Sequence, residues 1–114
     1  MTDITITKKA NRIVKVECSG HTGYGEEGED IVCAALSSVV QTALMGLLTV
    51  ARVKVDYHRD DKKGTLTFAL PDGLSEGKKH DAAVILDTML CGVSDLREGF
   101  SDFINLEVTN LRCL

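Results

Sequence analysis

From Ile31 to Ala51 the chain carries no charged side chain. In a protein of 114 residues no other feature restricts the fold as much. A run of this length approaches a membrane span, but Ser37, Ser38, Gln41, Thr42, Gly46 and Thr49 interrupt it. Val32, Leu36, Val39, Ala43, Leu47 and Val50 recur at helical spacing. The segment reads as the buried helix of a soluble domain, from about Asp30 to Ala51, with no membrane association. Its other face holds Ser38, Gln41, Thr42, Met45 and Thr49, polar but uncharged. Solvated helix faces usually carry Lys and Glu, so a second helix or a second subunit should cover this one. That is the residue-level hint of a homodimer.

The rest of the chain is strand-like with one further helix. Ile4 to Thr7 alternate apolar and polar, as do Val14, Val16 and Cys18 with Lys15 and Glu17. Val53, Val55 and Tyr57, then Leu66, Phe68 and Leu70, then Ile104, Leu106 and Val108 repeat the pattern. Period-two alternation predicts strands with one face buried and one wet. After Pro71-Asp72-Gly73, a second helix is expected from about Ser75 to Glu98, with Ala82, Ile85, Leu86, Met89, Val93 and Leu96 inward and Gly99 as its stop. The order ββαββαβ predicts a two-layer α/β (α+β) sandwich, a mostly antiparallel or mixed sheet with two helices on one face. At this length, residues 1–114 form a single domain.

Composition excludes several functions. The net charge is −4 and aromatics are 4% with no Trp, so neither a phosphate-neutralising patch nor a base-stacking platform is available for nucleic acid. Cys18, Cys33, Cys91 and Cys113 include no C-x-x-C pair, which argues against a disulfide framework, a zinc site or a thiol redox motif. Cysteine use therefore points to the cytoplasm. Cys18 and Cys91 read as small buried hydrophobes, and Cys113 as an incidental thiol.

The informative stretch joins the second strand to the first helix. Gly20, Gly23, Gly25 and Gly28 are four of the ten glycines, and a long glycine-rich connection in so small a domain is costly unless it binds or moves. Gly23, Gly25 and Gly28 are therefore expected in a mobile loop. His21 stands at one end and Cys33 in the first turn of the helix at the other. A thiol at a helix N-terminus faces unpaired amides that favour thiolate. Half ionisation from a pKa of about 8.5 at neutral pH requires about 2 kcal/mol, whereas an exposed helix terminus supplies about 0.3–1 kcal/mol. An imidazole must supply the rest. His21 is tied to this helix by a short loop, while His58 sits on a wet strand face and His80 in the second helix. Asp30 is a candidate N-cap over the Cys33 amide, or a partner for His21. Ser37, one turn after Cys33, can reach the thiolate or a bound peptide, or can bond its own backbone. No ligand spacing points to a metal, and no cofactor motif is present: Gly23-Tyr24-Gly25-x-x-Gly28 lacks a phosphate-loop Lys and lies among carboxylates.

Gly20-His21, the glycine loop and Gly28-Glu29-Asp30-Ile31-Val32-Cys33-Ala34-Ala35-Leu36-Ser37 resemble the ribosomal-processing cysteine protease (Prp, YsxB-like) family. Thr22 stands where a small Ala is common. The resemblance spans nearly the whole chain and implies the same small α/β fold. It implies a cysteine endopeptidase with Cys33 as nucleophile and His21 as general base, supported by Gly20, Asp30 and Ser37. It further implies a cytoplasmic homodimer from a Firmicute-type bacterium. The implied substrate is large-subunit ribosomal protein twenty-seven, whose N-terminal extension is cut after an aromatic residue and before Ala, with no cofactor. The rival class is a non-catalytic ribosome-associated assembly module, in which Cys33 would be inert.

Overall fold

A computed structural model describes residues 1–20 and 27–111, with 27–30 as helix backbone only. The strands are β1 (Thr2–Lys9), β2 (Arg12–Ser19), β3 (Asp56–Asp60), β4 (Thr65–Ala69) and β5 (Ile104–Leu111); the helices are α1 (Glu27–Met45) and α2 (Glu76–Gly99). They form one five-stranded sheet in the order β3-β4-β2-β1-β5. β1 and β5 run parallel, and every other pair is antiparallel. This is the mixed sheet with two helices that the alternation pattern implied. Ile4, Ile6, Val16 and Phe68 meet Leu36, Val40, Leu47, Leu86 and Val93 in the core, each almost fully buried.

The β1–β2 hairpin turns through Ala10 and Asn11, both at positive φ. Its register slips between Thr7 and Lys8: Thr7 faces Lys15, but Lys8 faces Ile13. Val14 is the extra residue of this bulge. The slip turns Ile13 into the core and leaves Val14, expected inward, only half-buried.

Helix α1 begins at Glu27, three residues before its expected start, and passes after Met45 into a π-helical turn over Gly46–Val50. The wider turn rotates the last residues, so Val50 points to solvent at 78% exposure, while Val40 and Leu44 join the core instead. Lys78 Nζ closes the end of this segment by donating to the carbonyl oxygens of Ala51 and Arg52, a cation on the negative end of a helix. Val53 and Val55 are buried but precede β3, which begins only at Asp56. Edge strand β3 is open on both faces, so Tyr57, expected inward, is 53% exposed. Edge strand β5 loses its cover towards its end, and Val108 is likewise exposed. Helix α2 starts where expected, with the Ser75 Oγ accepting from Lys78 N. Gly99 is its last residue and Phe100 its cap.

Candidate active site

The helix-facing side of β2 presents Val16, Cys18 and then Gly20 at alternate positions. At Gly20 a side chain has no room: a Cβ there would lie 2.7 Å from the Cys33 Sγ and 3.3 Å from the Thr2 Oγ1. Glycine thus lets α1 descend until its thiol touches the β2 backbone. Gly20 is held from the other side, its amide donating to the Gly64 carbonyl at 3.0 Å.

A cavity of about 140 Å³ opens beside this contact. One wall is Cys33, Ser37 and Gln41, spaced one turn apart along α1. The facing wall is the β3–β4 hairpin, with Arg59, Asp60, Asp61 and Gly64. Asp60 builds that hairpin, its Oδ1 accepting from the amides of Lys62 and Lys63 at 3.0 and 3.1 Å, while Arg59 Nε donates to Asp61 Oδ1 at 2.6 Å. Gly64 sits at positive φ, which favours glycine. Clefts of about 730 and 480 Å³ lie elsewhere on the molecule. The small one is singled out by its half-buried thiol and polar walls.

Sequence reasoning placed Cys33, Gly20 and Ser37 near one another, and the structure brings all three to this cavity. The hairpin was missed, because contacts between distant segments leave no local sequence signal; Gln41, one turn beyond Ser37, could have been found by continuing the i, i+4 row from Cys33. His21, Gly23 and Gly25 lie outside the described residues. Neither of the described histidines, His58 and His80, lines the cavity. Among the described residues, no group of three His, Cys, Asp or Glu is placed to hold a metal ion.

Three expectations change. Asp30 and Gly28 lie inside α1 rather than at its cap and in the loop, because the helix begins at Glu27. Cys33 is accordingly the seventh helical residue, in the second turn. Only the first four amides of a helix are unpaired, so the Cys33 amide belongs to the helix ladder and is no oxyanion donor. Cys91, expected buried, is exposed on α2. Cys18 is buried, and its thiol is pushed up to about 11, by burial first and then by the nearby Cys33 and Asp3. Cys18 and Cys91 are not engaged in a disulfide.

A family model described as cysteine protease Prp matches residues 1–105. The chain belongs to the cysteine protease Prp family. A ribosomal processing cysteine protease Prp of Bacillus subtilis is 26% identical over 110 residues, 96% of each chain. The crystal structure of a Prp from Staphylococcus aureus, in complex with a substrate peptide, is similar at a TM-score of 0.85 and 26% identity, covering 96% of this chain and 100% of that one. A second S. aureus Prp structure, with a covalently linked product peptide, has a TM-score of 0.81 and 27% identity over the same shares. The protein is thus a cysteine protease of the ribosomal-processing type, with the five-stranded mixed sheet and two helices of its Prp neighbours.

Proposed function

We propose that the protein removes the N-terminal extension of large-subunit ribosomal protein twenty-seven, in the cytoplasm, through a Cys33–His21 dyad. The observation that carries this reading is the seating of the Cys33 thiol against Gly20, the residue directly before His21, in a cleft with polar walls. Cys33 thiolate attacks the scissile carbonyl, His21 protonates the leaving amine, and water activated by His21 hydrolyses the thioester. The covalently linked product peptide of the S. aureus Prp fits a route of this kind. Because the Cys33 amide is bonded within α1, another donor stabilises the oxyanion. Ser37 and Gln41 lie along the same wall and are placed to hold an extended peptide.

The same reading includes a homodimer. Thr42 and Thr88 donate their hydroxyls to backbone carbonyls of their own helices at 2.7 and 2.6 Å. Together with exposed Val50 and Val84 they line an uncharged groove between α1 and α2. A second copy of this chain covers it.

The test is cleavage of the extended ribosomal protein, followed by mass spectrometry. A single cut between an aromatic residue and Ala, absent in folded Cys33→Ala and Cys33→Ser, is expected. Cleavage by either variant would refute the nucleophile. An intact substrate with folded, reduced wild-type protein would refute the substrate.

A further inference from the structure

Cys18 has no part in that chemistry, yet it lines the same cavity as Cys33. It lies two residues before Gly20 on one face of β2, about 6.6 Å along the strand. Cys33 Sγ reaches within 2.7 Å of the point a Gly20 side chain would occupy. No side chain at position 20 separates the two sulfurs. Cys91 is exposed on α2 and does not line this cavity.

We propose that Cys18 is the resolving thiol for oxidised Cys33, so that the two form an intramolecular disulfide that protects the site. The inference rests on Cys33 as the reactive thiol. Peroxide is the oxidant and is small enough for the cavity. Cys33 thiolate attacks one peroxide oxygen; an S–O bond forms, the O–O bond breaks, and hydroxide leaves. Cys33 is oxidised to the sulfenic acid and peroxide is reduced. Cys18 sulfur then attacks the Cys33 sulfur. The S–S bond forms, the S–O bond breaks, and the hydroxyl departs as water with the Cys18 proton. A buried thiol held above its ordinary range is a poor target for peroxide itself, so oxidation begins at Cys33 and ends at Cys18. Protease action stops while the disulfide holds and returns when a dithiol reduces it. Transient bonds of this kind are the usual form of cytosolic disulfide.

The experiment exposes the purified, reduced protein to hydrogen peroxide and maps its cysteines by mass spectrometry without reduction. Loss of two hydrogens, a Cys18–Cys33 cross-linked peptide and full recovery of Cys33 alkylation after dithiothreitol are expected. Cys18→Ala should instead gain two oxygens at Cys33 and recover no alkylation. Cys18→Ser serves if the alanine variant does not fold, and Cys91→Ser should match wild type. Wild-type Cys33 that peroxide consumes without linking to Cys18 overturns the inference alone. Cys33 that neither iodoacetamide nor peroxide modifies overturns its assignment as the nucleophile, and the inference with it.

Discussion

Gly20→Ala tests whether the close approach of α1 to β2 sets the geometry of the reactive thiol. The new methyl would sit 2.7 Å from Cys33 Sγ and 3.3 Å from Thr2 Oγ1. Ordinary heavy-atom contact is about 3.5–4.0 Å, so about 1 Å of overlap must be relieved. The Gly20 backbone is not in the left-handed region, and its bond to Gly64 involves only main-chain atoms. The strain therefore falls on the Cys33 side chain, whose helical position leaves few alternative rotamers. Overpacking costs about 1–3 kcal/mol, and the reduced freedom of the unfolded chain returns about 0.4–1 kcal/mol. A melting temperature lower by several degrees follows, with the protein still folded. Displacing a reacting atom by about 1 Å costs about a hundredfold in rate. Activity should thus fall much further than stability, with slower iodoacetamide labelling of Cys33. The assay pairs kcat/KM on the extended ribosomal substrate with a thermal melt. Wild-type kcat/KM in a folded Gly20→Ala protein would refute the reasoning.

Asp60→Ala removes two acceptor bonds in the hairpin that faces Cys33 and should cost about 1–2 kcal/mol in chemical denaturation; Asp60→Asn keeps an acceptor oxygen and should restore most of it. The Cys18 thiol, pushed up to about 11 from 9.0, ionises later in the folded chain than in the unfolded one. Its contribution is fully present below pH 9 and is lost as pH rises towards 11, about 2–3 kcal/mol in all. Cys18→Ala should flatten that alkaline limb of a melting-temperature profile. Val84→Glu places a charge in the uncharged groove between the helices and should give a monomer in sedimentation velocity; an unchanged sedimentation coefficient would locate any dimer contact elsewhere.

The sheet was legible because alternation marks strands wherever one face is covered. It failed where cover fails. Tyr57 and Val108 continue the apolar rhythm of their segments, yet Tyr57 lies on an edge strand open on both faces and Val108 lies where the cover over edge strand β5 has run out. The Val14 error is of another kind. One residue inserted in a hairpin exchanges the two faces of everything beyond it, and neither Ile13 nor Val14 announces which of them is the extra one. Val50 shows the helical equivalent, where a π turn rotates each residue by less than the usual angle and sends an expected core residue outward.

The site divides along the same line. Gly20, Cys33 and Ser37 could be read from the chain because they flank one loop or lie one helical turn apart. Asp60 and Gly64 could not, since they come to the Cys33 cavity only through the β2–β4 pairing and the packing of α1 on the sheet. The shift of the helix start from Asp30 to Glu27 has the greatest chemical consequence. It moves the unpaired amides a full turn away from the thiol and removes most of the dipole contribution, which falls off within the first turn. With the helix share reduced, the demand on the imidazole grows. Replacing His21 should therefore suppress Cys33 alkylation at neutral pH nearly as far as it suppresses cleavage, and a His21→Ala protein that alkylates at the wild-type rate would break the dyad.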